Sequence, residues 1–380
     1  MSEDINIAAP ILGDEELSGI ESVVESGMIA DGPEVREFES AFAEYCDAEY
    51  GVATSNGTTA LHTALESVGV GPGDLVLTTP FSFVATANAI RFAGAKPVFA
   101  DIDPETFNLD PAHVEATLES LEDDVRAMVV VHLYGLPAPM DRLREIADEY
   151  DIALVEDAAQ AHGATFFDSP VGSLGDAACF SFYPTKNMTT GEGGIVLTDD
   201  EDVAANAASF INHGRESDGY RHVSLGHNFR MTSIAAAMGR AQLDRLPGFV
   251  ERRRENAERL DELLADTNAV TPTVPDGYGH SYHQYTIRVG NRDSVAEQLD
   301  EHGIGSGVYY PRCIHEQPAY DVLDVSAPVS ELVSEQVLSI PVHPALDDEE
   351  VERVGTVLRD EVDIEPPNRP VEPSMGVSDD

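Results

Sequence analysis

Positive charge is scarce in this 380-residue chain and lysine scarcest of all: Lys96 and Lys186 are the only two, among 22 basic residues set against 70 acidic ones. The resulting formal charge of −48 repels nucleic acid and anionic membranes, which argues against any polyanion-binding role. Cysteine is also rare. Cys46, Cys179 and Cys313 are odd in number, widely separated and unlike zinc-ligand pairs, so no metal site is expected and a reduced compartment is. No run approaches the roughly 18 apolar residues of a spanning helix. The opening MSEDINIAAP has no basic segment followed by an apolar one, and these absences together lead us to expect a soluble, cytoplasmic protein.

Such acidity often accompanies disorder, but 42% of the residues are hydrophobic and they recur in ordered patterns. The charge therefore reads as a solvated acidic shell on a folded protein. Acidity with arginine in place of lysine fits halophilic adaptation, because concentrated salt screens the self-repulsion.

From about residue 35 to 200, segments of helical period alternate with short apolar runs, the pattern of an α/β domain with a mostly parallel sheet flanked by helices. Strands are expected at LVLTTP, KPVFADI, AMVVVHL, IALVEDA, ACFSF and GGIVLT, with a ligand at their carboxyl ends. The stretch from NFRMTS to LLADT reads as long helices. Beyond it, SYHQYTIRV, a helix near 293–302, GVYY and a final helix DDEEVERVGTVLRDEV predict a smaller α+β domain. The divisions expected are a large domain over 1–245, a small one over 246–362 and a disordered acidic tail over 363–380.

Lys186 stands in SFYPTKNMTTGEGG, between a strand-like run and a glycine cluster. A chain that has shed lysine this thoroughly keeps one where arginine cannot substitute, and arginine cannot form an imine. Lys96 has no comparable surroundings and reads as structural. Asp157 ends an apolar strand in VEDAAQAHGA. It either caps a following helix or faces a charged partner such as a protonated pyridine nitrogen. SNGTTAL places Gly57 and Thr58 at a helix start, where free N–H groups serve a cap or a phosphate. That segment has neither GxGxxG nor the GK[ST] of a P-loop, which leaves dinucleotide and NTP readings without support. The cluster GEGG either makes a turn or lets backbone approach a ligand closely.

Together and in this order, the helix start, the aromatic segment PFSFVATANAI, the strand-end aspartate and a serine five residues before a lysine resemble fold-type I pyridoxal-phosphate enzymes. Within these, the chain resembles the DegT/DnrJ/EryC1/StrS nucleotide-sugar aminotransferases from DEELSGIESVV through INHGR and YHQYTIRV to LSIPVHPALDD, the tail alone lying outside. The resemblance implies that Lys186 forms the imine with the cofactor and later shuttles a proton, and that Asp157 partners the pyridine nitrogen. It implies further that Gln160 meets the phenolic oxygen, that Gly57, Thr58 and Ser181 hold the phosphate, and that Phe83 stacks on the ring. Phe83 also reads as core packing and Ser181 as a strand-end cap. Asn228, in HNFRM, is implied to reach the phosphate of a neighbouring subunit, which makes a homodimer with shared sites.

The implied reaction moves an amino group from glutamate to a keto-sugar nucleotide, for amino sugars of glycans or polysaccharides. TTGEGG resembles members acting at C4 of 4-keto-6-deoxy sugars, since an aspartate in place of Glu192 is expected for those acting at C3 of 3-keto sugars. The nucleotide, UDP, GDP or dTDP, is not indicated by any residue. Three other readings compete: a sugar dehydratase, whose known members carry histidine where this chain has Lys186; a non-catalytic regulatory homologue, expected to lose Lys186 or Asp157; and a scaffold without cofactor. Because the Debye length grows from about 3 Å at 1 M salt to about 10 Å at 0.1 M, dilution from molar salt is expected to lower the melting temperature by well over 10 °C. Thermal melts followed by circular dichroism check this, and a salt-independent midpoint contradicts it.

Overall fold

The computed structural model describes residues 4–216, 220–320 and 325–369. Its centre is a seven-stranded sheet built from β1 (Tyr50–Thr54), β2 (Leu75–Thr78), β3 (Lys96–Phe99), β4 (Val125–Val131), β5 (Ala153–Asp157), β8 (Ala177–Ser181) and β9 (Gly194–Thr198). The strand order is β1-β9-β8-β5-β4-β2-β3. Neighbours from β3 across to β8 pair in parallel, whereas β9 runs antiparallel to both β8 and β1. Two-residue strands β6 (Thr165–Phe166), β7 (Ser169–Pro170) and β10 (Tyr278–Gly279) form a small sheet beside it.

The strands are continuous apolar runs because helices bury both faces. On one face α3 (Gly57–Ser67), α4 (Ala85–Phe92) and α7 (Glu201–Phe210) pack against Val52, Val129, Val155, Cys179 and Val196. On the other, α2 (Pro33–Tyr45) sets Phe38 and Phe42 against Ala53, Phe180 and Ile195. There α5 (Pro111–Ser120) and α6 (Met140–Glu149) cover Met128, Val130 and Leu154. Adjacent residues such as Val129 and Val130 thus enter different cores, as the period of 2 in a strand demands.

The segment expected to form several long helices is one helix, α8 (Ser233–Leu264), with Pro247 inside it. Its first half, with α1 (Asp14–Ser26) beside it, completes the α2 side of the large core. Its second half supplies Ala257, Leu260 and Leu264 to a second core. That core also holds the antiparallel pair β11 (Tyr285–Arg288) and β12 (Val337–Ile340) with α9 (Arg292–Glu301) and α11 (Asp348–Asp360). The boundary expected at 245/246 therefore falls inside a helix shared by both cores. Ile5, grouped with the large domain from sequence, packs instead in the second core and bridges to Ile304.

The tail expected from residue 363 does not begin there. Ile364 is buried, Asn291 donates to the Asp363 carbonyl at 2.7 Å and Gly290 N–H to the Glu365 carbonyl at 2.7 Å. The rest of that expected tail, 370–380, lies outside the described residues. GVYY is not a strand either: Gly307 bridges to Ser339, and Tyr309 and Tyr310 turn towards the carboxyl ends of the parallel strands. Among the described residues, no helix is long and apolar enough to cross a membrane.

One buried network fixes those strand ends. Glu156 is fully buried, with Oε1 accepting from Leu174 and Gly175 N–H at 2.8 Å each and Oε2 from Gly172 N–H at 3.0 Å. His132 Nε2 lies 2.9 Å from Oε2 while its Nδ1 accepts from Ala138 N–H at 3.0 Å, so Nε2 carries the proton and donates to Glu156. Replacing Glu156 with leucine strands four donors, two of them in fully buried bonds, and Glu156→Leu is expected to cost about 3–5 kcal/mol of stability. Urea unfolding at fixed high salt measures it; a loss below about 1 kcal/mol contradicts this account of the network.

Candidate active site

At the carboxyl ends of β2, β4, β5 and β8 a cleft of about 960 Å³ opens. Gly57, Thr58, Phe83, Asp157, Gln160, Ser181 and Lys186 all line it, brought together from positions 129 residues apart at their extremes.

The start of α3 forms one end. Asn56 caps the helix, its Oδ1 accepting from Thr59 N–H at 2.9 Å, and Thr59 Oγ1 accepts from Asn56 N–H at 3.1 Å. Ala60 N–H returns to the Asn56 carbonyl. The N–H groups of Gly57 and Thr58, left by helix geometry without an intrahelical acceptor, stand on the cleft lining with the positive end of the helix dipole. Gly57 has to be glycine, because a Cβ there would lie 2.6 Å from the Ser181 Cβ. The cap thus uses the Thr59 N–H and leaves the Gly57 and Thr58 N–H groups for another acceptor.

Phe83 is 53% exposed and offers its ring to the cleft, 6.0 Å from the ring of Tyr310. It is not core packing. An apolar ring left uncovered inside a cleft suits stacking on a flat ligand.

Asp157 ends β5 and no helix follows it, which leaves nothing for it to cap. Its Oδ2 accepts from Thr86 Oγ1 at 2.8 Å and its Oδ1 from Ala159 N–H at 3.3 Å. Burial pushes the carboxyl above its ordinary range, opposed by these two hydrogen bonds and by the nearby Lys186 charge. A buried carboxylate beside an open cavity is costly unless a cation meets it there.

Lys186 lies in the turn joining β8 to β9, its N–H bonded to the Tyr183 carbonyl at 2.9 Å. The next residue anchors the turn: Asn187 Nδ2 donates to the Ser281 carbonyl at 3.0 Å. Desolvation lowers the Lys186 amine to about 8, the Asp157 charge offsetting part of the shift. This amine is therefore uncharged, and nucleophilic, far more often near neutral pH than an ordinary lysine's. In the glycine cluster, Gly191 makes the turn with φ of +81°, and a Cβ on Gly194 would come 2.5 Å from the Asn56 carbonyl oxygen. The close approach is thus to the α3 cap, seating Lys186 and Gly57 in one site.

Gln160 accepts from Tyr134 N–H at 2.7 Å and donates to Tyr310 Oη at 3.1 Å. Asn228 is not brought to this cleft: it is exposed, in a bridge with Asn212. Residues that sequence reasoning missed also line the cleft, among them Thr86, His283, Gln284, Tyr309 and Tyr310. The last four come from the smaller domain, and nothing in their local sequence signals a site. Arg312 is exposed and Cys313 buried, and neither lines the cleft.

The family model for the DegT/DnrJ/EryC1/StrS aminotransferase family matches residues 10–359. The chain is 40% identical to a pleiotropic regulatory protein of Geobacillus stearothermophilus, over 90% of this chain and 93% of that one. It is 37% identical to a UDP-N-acetyl-3-dehydro-alpha-D-glucosamine 3-aminotransferase of Acidithiobacillus ferrooxidans, over 92% and 94%. Among solved structures it is similar to the PLP form of a putative sugar aminotransferase of Streptococcus pneumoniae, with a TM-score of 0.88 and 27% identity over 94% and 98% of the chains. With a mostly parallel sheet of fold type I and an amine and a carboxylate in one cleft, the chain belongs to the DegT/DnrJ/EryC1/StrS family of pyridoxal-phosphate-dependent sugar aminotransferases.

Proposed function

We propose that the protein binds pyridoxal phosphate in this cleft and transfers an amino group from glutamate to a keto-sugar nucleotide. The observation that carries this reading is the pairing of Lys186, its amine lowered to about 8, with the buried carboxylate of Asp157 in one cleft. The residues fit the cofactor: the Gly57 and Thr58 N–H groups and Ser181 Oγ suit its phosphate, the face of Phe83 its ring, and Asp157 its ring nitrogen. When bound, pyridoxal phosphate supplies a ring that accepts electron density from the carbon carrying the amino group.

The chain's own groups do the rest. Asp157, ionised and held by Thr86, keeps a proton on the ring nitrogen. Lys186 would provide the point of covalent attachment and, freed from it, would take a proton from the carbon of the amino donor and, in the second half of the exchange, deliver one to the keto carbon of the acceptor. Arginine, permanently protonated, fails at both tasks. Tyr309 and Tyr310 wall the cleft, their loop pinned by Ile314 N–H to the Pro80 carbonyl at 2.8 Å, and so limit water at the reacting carbon.

Among the described residues lining the cleft, Lys186 is the single cation. A nucleotide diphosphate and glutamate both bring negative charge, so further donors have to come from elsewhere. A second copy of the chain is the source favoured here. Asn228 is exposed away from its own cleft, and Leu12, Leu17, Val24, Met28 and Ile29 form an exposed apolar group around α1 that suits burial in a homodimer.

Glu192 lines the cleft and supports amination at C4 of a 4-keto-6-deoxy sugar. The 3-aminotransferase relative favours amination at C3 as a second reading. Incubation with glutamate and each keto-sugar nucleotide, followed by NMR of the product, separates them. The halophilic and cytoplasmic settings belong to the same proposal and rest on composition alone.

Lys186→Ala is expected to lower transamination at least about 10³-fold, the upper range of a proton-transfer contribution together with lost attachment, while retaining cofactor binding. Activity within tenfold of the parent contradicts the assignment. Covalent capture of pyridoxal phosphate by the apo-protein should accelerate with rising pH around a midpoint of about 8, because the neutral amine is the nucleophile and its fraction grows above that value; stopped-flow absorbance reads it, and a flat profile contradicts it. Mixing inactive Lys186→Ala and Asn228→Trp chains should restore up to about half the activity per mixed dimer, since one of the two composite sites is then intact. No recovery in verified mixed dimers contradicts the shared site.

A further inference from the structure

Three polar side chains form a short chain along the cleft floor. Ser82 Oγ lies 2.9 Å from Thr86 Oγ1, and Thr86 Oγ1 lies 2.8 Å from Asp157 Oδ2. Both hydroxyls are buried, Ser82 at 4% exposure and Thr86 at 1%. An ionised carboxylate only accepts, so the Thr86 proton points at Asp157. The Thr86 oxygen is then free to accept, and the proton in the upstream bond is that of Ser82. Direction is thereby fixed along the whole chain, from Ser82 through Thr86 to Asp157. Thr86 is itself held in place, its N–H bonded to the Phe83 carbonyl at 3.1 Å as α4 begins. The same turn therefore sets both the ring-facing Phe83 and the hydroxyl on Asp157.

We propose that Thr86 is a positioning residue, with Ser82 behind it, whose directed hydroxyl keeps the Asp157 carboxylate ionised and turns its free lone pairs towards the ring nitrogen. This rests on the functional reading above and adds to it the group that decides the charge state of Asp157.

The balance at Asp157 is close enough for one hydrogen bond to matter. The titratable groups around it are Lys186 from the β8–β9 turn, His132 from the end of β4, Tyr310 from the loop over the cleft and Cys179 from β8. Lys186 favours the charged carboxylate, while His132, with its proton on Nε2 directed at Glu156, brings no charge. Of these, Lys186 would be engaged in covalent attachment once the cofactor is bound, while Tyr310 and Cys179, both shifted upward by burial, bring no charge. In the loaded site the donors that remain on the two oxygens are Thr86 and the longer bond from Ala159 N–H.

Pyridoxal phosphate binding to the apo-protein, followed by fluorescence quenching across pH at constant high salt, tests this without using activity. Affinity falls as pH drops through the Asp157 ionisation, because the carboxylate that meets the ring nitrogen is lost. Removing a donor from the charged form raises that midpoint. Thr86→Val, which keeps the shape and loses the hydroxyl, is expected to move the midpoint up by about one pH unit, a loss of affinity that grows to roughly tenfold below both midpoints, with little change well above them. Thr86→Ser is expected to return the profile to the parent's. Ser82→Ala, one hydroxyl further from Asp157 along the chain, is expected to move the midpoint the same way by a smaller amount, and it carries the test if the valine variant does not fold. A uniform loss of affinity at every pH, or profiles superimposable on the parent's in the valine and alanine variants, overturns the positioning role. Failure of the parent protein to bind the cofactor at any pH overturns the functional reading and the inference with it.

Discussion

A carboxylate held out of water at the end of β5 is the constraint on which the rest of this molecule turns. Asp157 is 5% exposed and burial opposes its charge, so its environment has to supply what water does not. Thr86 from α4, Ala159 N–H from the following turn and Lys186 from the β8–β9 turn converge on it from three elements. Each of those elements is fixed by something larger. The sheet sets β5 beside β4 and β8, the Glu156 network ties the β4 and β5 ends to the 172–175 loop, and Gly194 closes on the α3 cap. The amine of Lys186 is affected in turn: the same desolvation that burdens the carboxylate lowers the amine, and their mutual attraction limits both shifts.

How much of this was legible in the sequence follows from how each part is stabilised. The six strands expected between 75 and 198 are present because burial on both faces leaves an unbroken apolar run. β1 was not separated out, being five residues with Gly51 pressed against the Glu39 carbonyl, which breaks its apolar pattern. The single long α8 was read as several helices, Pro247 being the ordinary signal for a stop, although packing on two cores carries the helix through. At the site, Lys186, Asp157 and Gly57 were legible since their chemistry is unusual for their positions. Thr86 was not, as a threonine in an ordinary helical segment, and neither were His283, Gln284, Tyr309 and Tyr310. Their place in the cleft is created by the return of the smaller domain over the strand ends, which no local pattern encodes.

Charge separates the surface from the site. The chain carries 70 acidic residues, yet among the described residues Asp157 and Glu192 are the only carboxylates lining the cleft and Lys186 its only cation. An acidic shell is tolerable where solvent and salt screen it, whereas inside a cleft of low dielectric each charge has to be matched individually. The same contrast explains why lysine could be nearly eliminated from this sequence without touching Lys186: surface cations are interchangeable, and an amine that must be neutral in part of its working cycle is not.

The presence of just two lysines makes one measurement decisive for the central claim, that Lys186 in this cleft is the point of covalent cofactor attachment. The protein, saturated with pyridoxal phosphate, is reduced with borohydride, digested, and mapped by mass spectrometry. The account predicts a stoichiometric pyridoxyl-phosphate adduct on Lys186 and none on the exposed Lys96. An unmodified Lys186, or labelling of both lysines to the same extent, would contradict it.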